Sequence, residues 1–388
     1  MLIAIDLIIG GKMQVPLYRH NLTTEDTEAL GKQFGQVLSG MMISTGPINK
    51  EVSEQFATYM QRKHCILTSS WSGGMMATLM ALGIGPGDEV IVPAMTFTAT
   101  ANIVEALGAK AVFVDIDIDT KLMDLEQAFR AVTDKTKAVI PVHLYGQMLD
   151  VKKLKFLLPE HILIVEDAAH VIEAEFAGER PGTHSSAAVF SFYQSKNMTT
   201  GEGGAVVTDS DELWNKIKLT YRHGVDLCGY QRHIREEFIA PDVVSLGIKA
   251  NMPDILALLL PPQIAKAEHN LAIRHQIANR YMDELQGVVN FPYVNSRAKH
   301  AWHIFAVGVE PAKREQALIY LYNNGVRTTV HFKAMHATTY YANKYGYKPE
   351  DFPVAYAWGE SVFSLPVFPG LTHEEQTHVI EQVKLSLA

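Results

Sequence analysis

Residues 187–204 read AAVFSFYQSKNMTTGEGG, an apolar run followed by a single lysine, Lys196, and a glycine-rich turn. The apolar run predicts a strand that is buried on both faces, as in a parallel sheet. Lysine ordinarily lies on a solvated surface, yet this strand delivers Lys196 to a strand end, where ligands of α/β sheets bind. The glycines let the backbone approach a ligand closely. Desolvation lowers the pKa of an amine, so the position predicts a nucleophilic lysine suited to Schiff-base chemistry.

The segments around this stretch alternate between apolar strands and helices. The predicted strands are 89–94, 109–117, 137–143, 162–167, 187–192 and 205–209. The predicted helices are 75–82, 98–107, 124–132, 150–157 and 210–222. This alternation predicts an α/β fold with a parallel sheet between helices. After residue 260 the pattern changes to a long helix and a smaller α+β unit. We therefore expect an N-terminal segment (1–22), a large domain (23–260) and a small C-terminal domain (261–388).

The composition excludes several classes of protein. The 388 residues include 34 Lys and Arg and 42 Asp and Glu, which gives a net charge of −8. Nucleic-acid and membrane-surface binders are usually basic, so neither class is expected, and any anionic ligand needs local cations or backbone N–H groups. The two cysteines, Cys65 and Cys228, cannot build a disulfide framework, which fits a reducing compartment and predicts a cytoplasmic protein. No apolar run approaches the length of a membrane span.

Three further motifs lie at predicted strand ends. In VEDAAH (165–170), Asp167 is either a helix N-cap or a carboxylate that holds a proton on a pyridine nitrogen. The small residues of TSSWSGG (68–74) precede a helix, where they form either a simple cap or an anion site. Phe97, in MTFTAT (95–100), is either a core residue or a ring that lies flat on a cofactor.

No metal site is predicted. The segment THEEQTH (372–378) is one residue longer than the zinc motif HExxH, so His373 and His378 do not share a helix face. The turn GIGPGD (83–88) leads from a helix to a strand, which is the wrong order for a dinucleotide-binding loop.

A lysine, an aspartate, an anion-binding turn and an aromatic side chain at strand ends together resemble a fold-type I pyridoxal 5′-phosphate (PLP) enzyme. More narrowly, the chain resembles the DegT/DnrJ/EryC1/StrS family of sugar aminotransferases. The blocks that carry this resemblance span nearly the whole chain: STGP (44–47), GIGPGDEVIVPAMTF (83–97), PVHLYGQ (141–147), VEDAAH, FSFYQSKNMTTGEGG (190–204) and SLPVFPGLT (364–372). The resemblance implies a mostly parallel seven-stranded sheet between helices and a smaller C-terminal α+β domain.

The resemblance also implies roles for individual residues. Lys196 would carry PLP as a Schiff base and shuttle protons, with pyridoxamine phosphate as the intermediate cofactor form. Asp167 would pair with the pyridine nitrogen, His170 would contact the ring hydroxyl and Phe97 would stack on the ring. The phosphate would be held by Ser72, Gly73 and Ser191. The protein would be a homodimer in which the partner completes each site, with Asn251 as a further cofactor contact.

The resemblance further implies the substrates. Many family members have Asn-x-Arg where GIKANMPD (247–254) places Lys249 and Asn251. This exchange, with HAWHIF (300–305) and VHFKAMHATTYY (330–341), resembles the subgroup that makes UDP-4-amino-4-deoxy-L-arabinose. The chain would move an amino group from L-glutamate to a keto group of a nucleotide-linked sugar, in amino-sugar biosynthesis for cell-surface glycan, lipopolysaccharide or antibiotic. The expected substrate contacts are Thr45, Arg232, Arg235, Lys249 and His331.

Two alternatives remain open from the sequence. One is a PLP-dependent sugar dehydratase of the same fold, although known examples replace the lysine with histidine. The other is a non-catalytic regulatory member of the family, although every chemical position is filled in this chain.

Overall fold

The computed structural model describes residues 8–9, 12–40, 42–226 and 240–388. The strands are Ile8–Ile9 (β1), Lys12–Met13 (β2), His64–Thr68 (β3), Glu89–Pro93 (β4), Lys110–Val114 (β5), Thr136–Val139 (β6), Leu163–Asp167 (β7), Glu175–Phe176 (β8), Ala187–Ser191 (β9), Gly204–Thr208 (β10), Ala298–Lys299 (β11), Phe305–Gly308 (β12) and Val362–Leu365 (β13). The helices are Thr24–Leu38 (α1), Pro47–Met60 (α2), Trp71–Ala81 (α3), Thr98–Ala106 (α4), Leu125–Arg130 (α5), Val151–Leu157 (α6), Asp211–Thr220 (α7), Asp254–Ala257 (α8), Pro261–Ala265 (α9), Ala267–Leu285 (α10), Pro311–Asn323 (α11), Thr339–Tyr345 (α12), Pro353–Ser361 (α13) and His373–Leu387 (α14).

Seven strands form one sheet in the order β3-β10-β9-β7-β6-β4-β5. The pairs from β9 through β5 are parallel, whereas β10 runs antiparallel to both β3 and β9. This reversal has a local cause, because the connection from β9 to β10 contains no helix that could carry the chain back for a parallel crossover. The prediction of a mostly parallel seven-stranded sheet between helices is therefore confirmed.

The ends of several predicted elements differ from the structure. The strand predicted at 137–143 stops at Val139, and Pro141 in that segment has no N–H to donate to a sheet. The helix predicted to run without interruption through 261–285 is divided at Lys266, whose side chain reaches back to pair with Asp26 in α1. The apolar patterns therefore place these elements correctly but not their ends.

Three apolar clusters support the fold. The largest lies around β4, β6 and β7, where Val90, Ile91 and Val165 are fully buried. A second packs α2 on the sheet, and the Phe56 ring meets the Phe190 ring edge-on with centroids 5.3 Å apart. Edge-on aromatic pairs contribute about 0.5–1.5 kcal/mol beyond their buried area.

The third cluster belongs to the C-terminal part of the chain. It runs from Ile277 to Val383 and includes Val15 of the N-terminal segment, which bridges to Val326. The N-terminal segment therefore packs on the C-terminal part. The domain boundaries at residues 22 and 260 stay a prediction.

One edge of the sheet collects the candidate residues. The parallel strands β7 and β9 end there at Asp167 and Ser191, and the antiparallel strand β10 begins there at Gly204. The helix α3, which starts at Trp71, follows the end of β3 at the same edge because β3 pairs with β10. Among the described residues, no helix has both the length and the apolar character that crossing a membrane requires.

We predict that Gly204→Ala destabilises the protein, because a Cβ at this position would lie 2.7 Å from Ser70 C and Trp71 N and 2.8 Å from Phe190 O. These are backbone atoms that cannot rotate away, and overpacking of this kind costs about 1–3 kcal/mol. The thermal unfolding midpoint should fall by several degrees. Gly85→Ala is the matched control, because nothing lies within 4 Å of its added Cβ. Equal midpoints for the two variants would contradict the close approach of β10 to α3.

Candidate active site

A cavity of about 450 Å³ opens at this edge of the sheet. Seven residues singled out from the sequence line it: Ser72, Phe97, Asp167, His170, Ser191, Lys196 and His331. They come from the ends of several strands and from the C-terminal part of the chain. The fold therefore brings together residues that are up to 259 positions apart, from Ser72 to His331.

Lys196 stands in the wall of the cavity. The chain turns after β9, where the Lys196 N–H donates to the Tyr193 carbonyl oxygen. The amine nitrogen lies 3.3 Å from His303 Nε2. Loss of water around the amine lowers the pKa of Lys196 to about 8, and the Asp167 carboxylate acts in the opposite direction. A substantial fraction of the amine is therefore neutral and nucleophilic near neutral pH.

Asp167 is buried at the end of β7. Its Oδ2 accepts a hydrogen bond from the Thr100 hydroxyl at 2.9 Å, and its Oδ1 accepts the Ala169 N–H at 3.2 Å. Burial raises the pKa of Asp167, while these hydrogen bonds and Lys196 oppose that rise. The alternative of a helix N-cap is wrong, because residues 168–174 form turns and no α-helix.

Three histidines surround the lysine amine. His170 and His303 stack at a tilt with ring centroids 4.6 Å apart, and His331 Nδ1 lies 2.9 Å from the Ser364 hydroxyl. Burial, reinforced by the charge of Lys196, holds the pKa of His170 and His303 well below the ordinary value and lowers the pKa of His331 to about 4. All three imidazoles are therefore neutral at physiological pH.

The proton of His170 can be placed from its hydrogen bond. Its Nδ1 accepts the Tyr145 N–H at 3.2 Å. In a neutral ring the other nitrogen must then carry the hydrogen. His170 therefore offers an Nε2–H donor at the cavity wall.

The start of α3 forms part of the cavity wall, where Ser70, Trp71 and Ser72 lie. Ser70 caps the helix by accepting the Gly73 N–H at 3.0 Å. The first-turn N–H groups of a helix have no partners within the helix and attract anions. Ser72 and Ser191 line the cavity here, but Gly73 does not, because its N–H serves the cap and it packs on Ala250.

The predicted substrate contacts are distributed differently. Asn251 Nδ2 donates to the Thr45 hydroxyl at 2.6 Å, and neither residue lines the cavity. Lys249 is exposed beside them, and the Ala250 carbonyl accepts the Ser69 N–H. Arg232 and Arg235 lie outside the described residues, so the structure places His331 alone of the five in the cavity wall.

Several residues of the cavity wall were not singled out from the sequence, and three of them make polar contacts at the site: Ser70, Thr100 and His303. Thr100 stands in the quoted block MTFTAT four residues after Thr96, a spacing that lets two hydroxyls meet at the start of a helix. These hydroxyls lie 2.8 Å apart behind Asp167. His303 gave no local signal, because it reaches Lys196 across 107 residues of sequence.

Comparison with known proteins gives the family. The sequence profile of the DegT/DnrJ/EryC1/StrS aminotransferase family matches residues 24–384. The chain belongs to this family. The chain is 35% identical to the spore coat polysaccharide biosynthesis protein SpsC of Bacillus subtilis (strain 168), over 91% of this chain and 93% of SpsC. Among solved structures, Spr1654 from Streptococcus pneumoniae in its PLP-form is 28% identical with a TM-score of 0.88, covering 96% and 98% of the two chains. DesV from S. venezuelae is 30% identical with a TM-score of 0.87, over 96% and 98%.

DegT/DnrJ/EryC1/StrS aminotransferases depend on PLP, and Spr1654 has been solved in both a PLP-form and a PMP-form. The cavity of this chain fits that cofactor chemically. It offers a reactive amine in Lys196, a buried carboxylate in Asp167 and free amide donors with serine hydroxyls at the start of α3. Gly204 lets β10 pass close to that helix start, where any side chain would collide with backbone.

We predict that the amine of Lys196 in the cofactor-free chain reacts with acetic anhydride with a midpoint near pH 8, because only the neutral amine is nucleophilic. Added Nα-acetyl-lysine amide should titrate near its ordinary value of about 10.4. Asp167→Asn should move the Lys196 midpoint lower by about one unit, because an opposing negative charge is lost. Labelling would be measured by mass spectrometry of the peptide that contains Lys196.

The control for this measurement is Asp124→Asn, an identical chemical change at the N-cap of α5. It should leave the midpoint of Lys196 in place. A midpoint that stays the same or rises in Asp167→Asn would contradict an electrostatic coupling between the two groups.

Proposed function

We propose that this chain is a PLP-dependent aminotransferase that moves an amino group from L-glutamate to a keto group of a nucleotide-linked sugar. The observation that carries the proposal is the pair formed by the Lys196 amine and the buried Asp167 carboxylate in one cavity. Membership of a sugar aminotransferase family supports the same reaction class.

When bound, PLP supplies an electron sink that makes a proton on the amine-bearing carbon acidic. The side chains of this protein would hold it in place and set its charge. Asp167 would hold the proton on the pyridine nitrogen, and Thr100 keeps that carboxylate oriented through its hydroxyl. The Nε2–H of His170 would donate to the ring hydroxyl, Phe97 would cover the ring, and Ser72 and Ser191 would bind the phosphate.

Lys196 would be the residue that moves protons. It would carry one between C4′ of the cofactor and the carbon of the substrate that gains or loses the amino group. A proton carrier works best when its pKa is close to the working pH, because it must both release and recapture the proton. The pKa of about 8 for Lys196 meets this requirement.

We also propose a homodimer in which residues 249–251 contribute to the partner's site. Among the described residues, the buried Asn251 Oδ1 has no hydrogen-bond partner, so this segment is not fully satisfied within one chain. Nearby, Val244 and Leu246 expose 53% and 81% of their surface, which suits an interface. The neighbouring apolar run 255–260 offers little surface to a partner, because Ala257, Leu258 and Leu260 are buried within the chain itself.

The finer identity of the sugar stays a prediction. We retain the UDP-4-amino-4-deoxy-L-arabinose subgroup as the working hypothesis because Lys249 and Asn251 replace the common Asn-x-Arg pattern. A cytoplasmic location also stays a prediction. The dehydratase alternative is disfavoured by Lys196 itself, and the regulatory alternative by a cavity that holds both Lys196 and Asp167.

We predict that adding L-glutamate to the PLP-loaded protein changes the cofactor absorbance and yields 2-oxoglutarate. Lys196→Ala should abolish this conversion while cofactor still binds, because the phosphate and ring contacts do not use the amine. Asp167→Asn should slow it at least tenfold, which corresponds to about 1.4 kcal/mol in the barrier. Asp124→Asn should convert glutamate at the wild-type rate. Conversion by Lys196→Ala at a near-normal rate would remove Lys196 from the mechanism.

The composite site predicts rescue between inactive subunits. In a heterodimer of Lys196→Ala and Asn251→Ala chains, one site combines an intact Lys196 and Asp167 with an intact Asn251 from the other chain, so activity should return. The control mixes Lys196→Ala chains with Asp167→Asn chains. Both residues belong to the same half of a site, so each site of that heterodimer keeps one of the two defects and no activity should return. Absence of rescue in the first mixture, after subunit exchange has been verified by native mass spectrometry, would indicate sites complete within one chain.

A further inference from the structure

We propose that His303 positions the catalytic lysine: its Nε2 lone pair accepts a hydrogen bond from the Lys196 amine and fixes the direction in which that amine points. This inference rests on the proposed function, in which Lys196 moves protons, and adds a residue to it. The contact is direct, with 3.3 Å between Lys196 Nζ and His303 Nε2. His303 belongs to the segment before β12, far along the chain from the strand that carries Lys196.

The neighbouring Asn197 determines which nitrogen of His303 carries the hydrogen. The Asn197 amide nitrogen donates to Glu173 Oε2 at 2.9 Å and to the Ala301 carbonyl at 3.2 Å. These two partners are acceptors, so the amide cannot be reversed. Its oxygen, 3.2 Å from His303 Nδ1, is then an acceptor, and His303 Nδ1 must donate. In a neutral ring this leaves the Nε2 lone pair free to accept from Lys196.

A buried ion pair holds Asn197 in this orientation. Glu173 accepts from Arg274 of α10 through its other oxygen, and both residues are 1% exposed. Arg274 Nε also donates to the carbonyl of Ala301, two residues before His303, at 3.1 Å. A buried pair of this kind is costly to break. The orientation of His303 therefore depends on rigid structure outside the cofactor cavity.

The lysine amine needs such a partner because it lies between two cavities. Lys196 and His303 line the 450 Å³ cavity described above, and they also line a second cavity of about 380 Å³. The second cavity is bounded by the N-terminal segment around Arg19 and by α10. A flexible lysine could point into either space. A fixed acceptor in the shared wall restricts the amine to the position from which it can reach the cofactor.

The other titratable groups around the amine do not duplicate this acceptor. His170 Nδ1 is occupied by the Tyr145 N–H, so its Nε2 is a donor. His331 Nδ1 bonds to the Ser364 hydroxyl. Asp167 interacts with Lys196 through charge, but its carboxylate accepts from Thr100 and Ala169 and forms no direct ion pair with the amine. Among the described residues, His303 is the side chain that lies within hydrogen-bond range of the Lys196 amine.

The test compares full-length variants by the labelling method used for Lys196. His303→Phe keeps a ring but removes both nitrogens, and His303→Gln keeps an acceptor near the place of Nε2. An acceptor favours the charged ammonium form, so its loss lowers the pKa of Lys196. We expect the labelling midpoint to fall by about half a unit or more in His303→Phe and to be restored in His303→Gln. His275→Phe is the control, because His275 binds the Trp302 indole in the same segment.

A second readout follows the glutamate half-reaction in the PLP-loaded protein. His303→Phe should slow it about tenfold or more, and the isotope effect with glutamate deuterated at the α-carbon should rise, because proton transfer becomes more limiting. His303→Gln should recover most of the rate, and His275→Phe should stay within twofold of wild type. If His303→Phe does not fold, Asn197→Ala replaces it, because it releases His303 Nδ1 while keeping the ring, and it should lower the midpoint too.

Equal midpoints in wild type and His303→Phe would overturn the proposal, as would equal shifts in the Phe and Gln variants, which would indicate ring shape rather than an acceptor. An unchanged labelling midpoint of Lys196 in Asn197→Ala would show that Asn197 does not set the tautomer of His303 on which the proposal depends. These outcomes are independent of the proposed function. If wild type fails to convert glutamate, the aminotransferase proposal fails, while the labelling midpoints still decide whether His303 holds the amine.

Discussion

Burial and mutual charge shift the pKa values of Lys196 and Asp167 in opposite directions, and the rest of the site depends on the balance between these two effects. Burial pushes both groups toward their neutral forms, raising the pKa of the acid and lowering that of the amine, while each group's charge favours ionisation of the other. The balance leaves the amine able to exchange a proton near neutral pH.

Two buried polar layers maintain that balance. Behind Asp167, the Thr96 and Thr100 hydroxyls form a short chain that ends on the carboxylate. Behind Lys196, a longer chain passes through His303 and Asn197 to the Glu173 carboxylate. Burying so many polar groups is costly unless each is satisfied, so such layers are expected where function rather than stability requires them. Both layers end on rigid elements, α4 for the first and α10 for the second, which reduces the freedom of the two groups that face the cofactor.

The residues of the site that lie at strand ends could be predicted from the sequence, because the geometry of the sheet determines their position. Apolar strands identify where β7 and β9 end, and in a parallel sheet those ends share an edge, so Asp167 and Lys196 could be placed together from local pattern alone. Asn251 and Thr45 were predicted as cofactor and substrate contacts, and within one chain they lie outside the cavity wall and bond to each other. Because the predicted site is completed by the partner subunit, these two contacts stay predictions. His303 could not be predicted, because nothing in HAWHIF indicates that this segment folds back against a strand end more than a hundred residues earlier.

The need for a second lysine contact follows from the reaction cycle itself. An aminotransferase releases its lysine amine from the cofactor in one half-reaction and recaptures it in the other, so in part of the cycle the amine would be held only by the protein. The Asp167 charge favours the ammonium form but gives no direction, because electrostatic attraction varies slowly with angle. A hydrogen bond to a fixed imidazole lone pair is directional, and the Asn197–Glu173–Arg274 chain fixes that lone pair from the domain core rather than from the cofactor. The hydrogen bond to His303 therefore fixes the orientation of the Lys196 amine while the cofactor is not bonded to it. In that state a lysine that pointed elsewhere would stop turnover.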